Sequence, residues 1–298
     1  MKVRIGFGLG TRTNLHDERF GHVVDELERL SFDSLWVSER IGAAAPDPLV
    51  AMAYGAGRTT RLKFGMSVMV LPGRNPIVLA KALASLSTMS AGRLLPAFGL
   101  GQVHPVEQQA FGVERTERAA WFDESLAVMR QCWTGEPVVH HGRRYDYDGV
   151  TVRPVPARMD VWLGGYAPSE LKRVGRLADG WLPSFVTPAD AAAGRTVIEQ
   201  VCEEHGREIE ADHYGVLIPY SLTGVPDPLL AQLAKRRPDL DPAALVPTSW
   251  EALRRLIADF VEVGTTKFVV LPIDEPGTTA AWTAHLEEAA RALLPLET

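Results

Sequence analysis

The chain of 298 residues has only two cysteines, Cys132 and Cys202, far apart and both in segments with helical patterning. So few thiols build no disulfide framework, and a reduced, cytosolic protein is the simplest expectation. No apolar run approaches the ~18–20 residues of a bilayer-spanning helix, so no membrane partner is expected. The opening MKVRIGFGLGTRT lacks a secretory-signal layout and reads as a first strand. Surplus positive charge is missing as well. The formal net charge is −6, which argues against duplex nucleic acid as the main partner. No Cys/His/Asp group has metal-ligand spacing, so no metal is expected, and neither GxSxG nor a Ser/His/Asp layout supports the familiar hydrolytic routes.

Short β-type runs alternate with longer amphipathic ones. The expected strands are residues 4–10, 34–39, 62–70, 94–101, 161–165, 180–186, 214–222 and 267–273. Between them lie helical faces such as Phe20, Val23, Val24, Leu27 and Leu30. Asp47-Pro48, Asn75-Pro76 and Thr187-Pro188 each place a capping side chain before a proline at the first helical position. Thr248 with Glu251 has capping-box spacing, and Gly264 ends that helix. Alternation of this kind demands parallel strands joined by crossovers, and eight units predict an α/β chain folded as one (β/α)8 TIM barrel. Insertions are expected after strand four, where VVHHGRRYDYDGVTVRPV reads as a hairpin turning at Asp148-Gly149, and after strand seven, where residues 223–247 read as a lid. The whole chain is expected to be one domain.

In such a barrel the active site lies at the C-terminal strand ends. That rule selects Thr11 and Arg12, Ser38 to Arg40, Ser67 to Val70, Gly99 to Gln102 with His104, Gly164 to Tyr166, Ser184, and Tyr220 with Ser221. Gly164-Gly165 before a helix near Ser169 suits either close approach of a phosphate or a tight turn. Gly99-Leu100-Gly101 leaves room for a flat ring or merely turns the chain, and it is not a dinucleotide fingerprint. Glu39-Arg40 is either an acid and a cation aimed into the mouth or an ion pair that props a loop. Of eight histidines, only His16 and His104 fall on loops at the productive end, with His104 the better proton donor. His22, His205 and His285 are expected on solvated helix faces.

The chain closely resembles the luciferase-like superfamily, and within it the actinobacterial coenzyme F420-dependent oxidoreductases. The likeness is carried by FDSLWVSER (32–40), the long stretch from PDPLVAMAYGAGRTTRLKFGMSVMVLPGRNP to SAGRL (46–94), FGLG (98–101), FDESLAVMRQCWTGEPV (122–138), VWLGGYAPSELKRVGRLADGWLPS (161–184) and GTTKFVVLP (264–272). The resemblance implies a non-prolyl cis peptide at Ser67-Val68 that forms a bulge supporting a deazaflavin, with Met66 and Met69 adapting to it. It also implies a cofactor cradle of Gly164, Gly165 and Tyr166, with Ser184, Gly99, Gly101 and Gln102 nearby. The sugar-phosphate dehydrogenases of that group carry Asp-His where Glu39-Arg40 stands here, and glutamate where Gln102 stands. Arginine is no general base and glutamine no proton carrier, so sugar-phosphate oxidation by that route is not expected.

These features together predict hydride transfer between F420 and an unidentified small organic substrate. Glu39, Arg40 and His104 are the candidate catalytic residues, Arg40 stabilising developing charge while His104 or Tyr220 delivers a proton. An FMN-dependent monooxygenase, a cofactor carrier without turnover and an unrelated barrel enzyme are the alternatives. A homodimer is implied by the relatives.

Overall fold

The computed structural model describes residues 2–11, 13, 18–101 and 104–298. Eight parallel barrel strands are present, two of them broken. They are β1 (Arg4–Leu9), β2 (Ser34–Val37), β3 (Lys63–Met66) continued by β4 (Met69–Val70), and β5 (Leu94–Leu95) continued by β6 (Ala97–Gly99). After a hairpin of β7 (Val138–His141) and β8 (Asp146–Val150) come β9 (Trp162–Leu163), β10 (Gly180–Trp181), β11 (Gly215–Tyr220) and β12 (Lys267–Pro272). The ladders run β11–β12–β1–β2–β3–β5 and β4–β6–β9–β10. Bridges from Trp181 to Tyr214 and from Ser184 to Leu217 close the ring. The expected barrel is therefore the observed one.

The surrounding helices are α1 (Glu18–Arg29), α2 (Pro48–Arg58), α3 (Pro76–Met89), α4 (Pro105–Phe111), α5 (Arg118–Thr134), α6 (Pro168–Leu177), α7 (Pro188–Glu204), α8 (Asp227–Arg236), α9 (Trp250–Glu262) and α10 (Thr279–Leu293). All three Asx/Thr-Pro starts are realised. Asp47 accepts from the Leu49 and Val50 amides, Asn75 from the Val78 amide, and Thr187 forms a reciprocal capping box with Asp190. The α9 start differs from expectation: Ser249, not Thr248, caps it by accepting from the Ala252 amide at 3.1 Å.

The period of two explains the barrel's filling. On β1, Ile5, Phe7 and Leu9 are buried, and Phe7 packs edge-on to Phe32 and Trp282. The alternate glycines face other strands. A Cβ on Gly6 would lie 2.4 Å from Ser34 Oγ, and one on Gly65 would lie 2.4 Å from Trp36. A Cβ on Gly180 would sit 2.5 Å from Trp162. Trp36 and Trp162 meet edge to face at 6.3 Å and are almost wholly buried. Glycines thus make room for two indoles across the barrel. Near the N-terminal strand ends, buried Lys267 pairs with Asp33, which also binds Lys63 at 2.9 Å.

The hairpin differs in detail. Asp148-Gly149 lies inside β8, and the turn is residues 142–145. Glu124 of α5 accepts from the Arg144 and Tyr145 amides and so fixes the turn there. The aspartate-glycine pair instead meets a register shift at Val138/Val139, where Gly149 supplies a φ of 90°. Within 223–247, α8 and a 3-10 turn at Pro242–Leu245 bury Leu233, Leu245 and Val246 against Phe185 and Ile273.

Candidate active site

The break between β3 and β4 is a cis peptide bond at Ser67-Val68, where the resemblance implied one. Ser38 Oγ donates to the Ser67 carbonyl at 3.2 Å, tying the end of β2 to this break. Met66 and Met69 on either side are fully buried. Inward positions from all eight strands then converge on a cavity of about 480 Å³.

One wall is nearly free of side chains. Gly99, Gly101 and Gly164 line it beside Val68, and a Cβ on Gly99 would lie 2.6 Å from Val68 Cγ2. Gly101 has a φ of 83°, the left-handed region that favours glycine. Ser67, Gly165 and Ser184 also line the cavity. Opposite this wall lie Thr11, after β1, and Leu217, Pro219 and Leu271 from β11 and β12.

Glu39, at the end of strand β2, is one of the acids lining this mouth. Its side chain is 4% exposed and pairs with Arg74. Its Oε2 accepts from the Val70 amide at 2.8 Å. Arg74 is itself held, its Nε donating to the Val70 carbonyl at 2.8 Å while its own carbonyl accepts from Tyr145 Oη at 3.0 Å. Burial pushes the Glu39 pKa up, against the pull of the Val70 amide and Arg74. The result is a fixed carboxyl, on a residue that lines the cavity, with raised proton affinity.

Other expected residues lie elsewhere. Arg40 is outside the cavity lining, its Nε 3.9 Å from Glu107 Oε1. Glu107 also accepts from the Ile41 and Gly42 amides, so Arg40 belongs to a loop prop. His104 stands exposed at the start of α4, without a capping bond and outside the lining. The Tyr166 ring packs 5.8 Å beneath Arg237, also outside it. Tyr220 is buried and bonded to His285 Nε2 at 2.6 Å. Its neighbours of opposite parity, Leu217 and Pro219, take the inward positions, so Tyr220 faces the helices and offers no proton to the cavity. His285 is correspondingly half-buried against Trp282 and Tyr220 rather than solvated. Ser221 is turned to Asp274 and the Gly224 carbonyl. Arg12, His16 and Gln102 lie outside the described residues.

The Gly164-Gly165 turn is not an open anion nest. Glu170 fills it, accepting from the Tyr166 and Ala167 amides at 2.9 Å each. Charged residues that sequence reading missed line the cavity: Glu170 and Arg173 on α6, Arg236 on α8 and Glu275 beyond β12. Arg173 is held by Asp123 at 2.7 Å, and Arg236 lies 5.0 Å above Phe185, another lining residue. The i, i+3 spacing of Glu170 and Arg173 after a strand-end GG was the available signal for the first pair. Among the described residues, a grouping of possible metal-binding side chains occurs at Glu210, Asp212 and His213, none of which lines this cavity.

The family model described as luciferase-like monooxygenase matches residues 5–237. The chain belongs to that family. As a luciferase-like protein it is 30% identical over 180 residues to a phthiodiolone/phenolphthiodiolone dimycocerosates ketoreductase of Mycobacterium kansasii, covering 58% of this chain and 47% of that one. It is 31% identical over 219 residues to an F420-dependent glucose-6-phosphate dehydrogenase of Gordonia bronchialis, covering 68% and 64%. The matches thus span about half to two thirds of these relatives. Among solved structures, an F420-dependent tetrahydromethanopterin reductase of Methanopyrus kandleri superposes with a TM-score of 0.75 at 18% identity, over 100% of both chains. An FMN-bound type II Baeyer-Villiger monooxygenase component of Pseudomonas putida gives 0.77 at 17% identity, over 100% of this chain and 99% of that one. At such identities the superpositions show a shared barrel.

Proposed function

We propose that this protein is an F420-dependent oxidoreductase that moves hydride between the deazaflavin and a small organic substrate. The reading rests on one observation, the side-chain-free wall of Gly99, Gly101 and Gly164 beside Val68, which leaves a slot for a flat ring. The Gordonia relative's name, an F420-dependent dehydrogenase, favours the cofactor, and the Mycobacterium relative's, a ketoreductase, favours reduction of a carbonyl. The residues fit the cofactor. Ser67, Val68, Gly99 and Gly101 would hold the ring, with Gly164, Gly165 and Ser184 alongside. Arg173 and Arg236 would meet its anionic side chain. Bound there, F420 supplies a carbon that donates or accepts hydride, with little one-electron or oxygen chemistry.

The chain's own contribution is positioning and proton control. Glu39, buried and fixed, takes the role of proton donor or acceptor that Arg40 and His104 do not reach to fill. The lid over Phe185 and Ile273 excludes water during transfer. Sugar phosphates are poor candidates, because the Asp-His pair of those dehydrogenases is replaced by Glu39-Arg40 and Arg40 faces Glu107. The test is anaerobic mixing of reduced F420 with cyclohexenone, an aldehyde and a cyclic imine, following deazaflavin absorbance. Oxidation dependent on one acceptor supports the reading. Inertness toward all, combined with oxygen uptake in the presence of FMN and a reductase, overturns it in favour of monooxygenation.

We also infer a cytosolic homodimer. Among the described residues, every large exposed apolar side chain lies between Ile41 and Val155. α2 and α3 each carry a single charge, Arg58 and Lys81. Val50, Tyr54, Val78 and Met89 stand exposed there, apolar side chains of the kind that line the core of a subunit interface. A two-fold axis would set this face against itself in a second copy. A sedimentation coefficient of a dimer for the wild type and of a monomer for Tyr54→Asp is expected; a monomeric wild type would refute it.

A further inference from the structure

Arg118 is a poor place for a cation. It is the first residue of α5, at the positive end of the helix dipole, and it is 8% exposed. Burial also lowers its pKa, with Arg115 adding repulsion. Its Nη1 donates to the carbonyls of Leu100 at 3.2 Å and Gly101 at 2.8 Å. These are the residues of the wall beyond β6. Leu100 and Gly101 line the main cavity on one side and a small second cavity on the other, and Arg118 lines only the second. The wall is therefore one backbone thick, with a guanidinium behind it.

Peptide geometry then fixes what faces forward. In the trans peptide joining Leu100 to Gly101, the carbonyl and the N–H point in opposite directions. A carbonyl drawn back to Arg118 turns the Gly101 N–H toward the main cavity. No acceptor among the described residues takes that N–H. Gly101 cannot readily be replaced, since its φ is 83° and a Cβ would meet Val70 Cγ1 at 3.1 Å.

We propose that Arg118 is a positioning residue that holds the Gly101 N–H as a hydrogen-bond donor for an oxygen gaining negative charge in the cavity during hydride transfer. The proposal rests on the oxidoreductase reading above and names a donor on this chain that the motif did not reveal. A backbone donor of this kind requires no reorganisation when charge develops, so its effect appears in the chemical step rather than in binding.

The experiment compares wild type, Arg118→Met and Arg118→Lys in two ways. First, hydrogen exchange of the peptide spanning residues 98–104 is measured by mass spectrometry on the apo-protein. Second, F420 affinity is measured by tryptophan quenching, and turnover with reduced F420 and cyclohexenone, or the aldehyde if that is the active acceptor, is resolved into kcat and KM. Expected are faster exchange in Arg118→Met, a kcat lower by about a hundredfold and F420 Kd and substrate KM within about threefold of wild type. Guanidinium ion should recover part of the loss in Arg118→Met, and Arg118→Lys should fall between, since an ammonium has no planar fork. Unchanged exchange at 98–104, or a loss carried by Kd or KM, overturns the proposal. Should Arg118→Met not fold, Arg118→Lys alone decides by the same exchange and kcat criteria. A wild type that binds no F420 defeats the oxidoreductase reading instead, and the exchange arm still judges whether Arg118 holds the wall.

Discussion

Gly99→Ala tests the slot directly. The new Cβ would stand 2.6 Å from Val68 Cγ2 and 3.6 Å from Val68 Cβ. Carbon atoms pack at about 3.5–4.0 Å, so Cγ2 must give way by about 1 Å. Val68 is β-branched with few χ1 choices, and it already lines the cavity. The methyl is therefore driven into the space a ring would use. Overpacking costs about 1–3 kcal/mol, which weakens ligand binding by about 5- to 150-fold if it falls on the bound state. In the apo-protein Val68 can swing inward, so thermal melting should change little. The assay is F420 titration by tryptophan quenching for wild type, Gly99→Ala and Gly99→Ala/Val68→Ala. The double variant removes the clashing methyl and should recover most of the affinity. Wild-type binding by Gly99→Ala, or no recovery in the double variant, would refute the placement of the ring between these residues.

Three further outcomes are expected. Glu39→Gln should lower kcat by about 10²–10⁴-fold while F420 affinity changes far less, and the limb of the pH–rate profile that titrates above the ordinary carboxylate range should vanish. Lys267→Met should cost about 3–5 kcal/mol in urea unfolding, because it strands the buried Asp33 carboxylate. In the wild type, burial raises the Asp33 pKa but Lys267 and Lys63 more than reverse this, holding it well below the usual range. The stability from this group is accordingly present above about pH 4 and lost as pH falls below it, which unfolding curves across that window would show. Arg237→Gln should loosen the segment 223–247, since Arg237 binds Asp190 at 2.7 Å, Asp239 at 2.7 Å and the Phe185 carbonyl at 3.2 Å. Faster limited proteolysis within 223–247, with about 1–3 kcal/mol lost, is the expected result.

Much of the barrel was legible because its determinants are local. Asp47, Asn75 and Thr187 cap the helices they precede, and hydrophobic periods of two and 3.6 separate strands from helices without knowledge of the partner strand. The hairpin turn was misplaced because Asp148-Gly149 satisfies turn and bulge equally well, and only Glu124, distant in sequence, selects between them. The wall glycines and Glu39 could be found from strand ends alone. Arg40, His104 and Tyr220 could not be sorted from them, since the direction of a side chain beyond a strand end depends on partners such as Glu107 and His285. Arg236 gave no signal at all, because an insert's seating on Phe185 is a tertiary fact. Arg118 carries no local signal, because its partners, the carbonyls of Leu100 and Gly101, lie a full connection earlier in the chain.

The most direct test of the central claim is titration of purified apo-protein with F420 and, separately, with FMN, followed by tryptophan quenching. Micromolar or tighter F420 binding with much weaker FMN binding is the predicted result. Tight FMN binding with no response to F420 would contradict it.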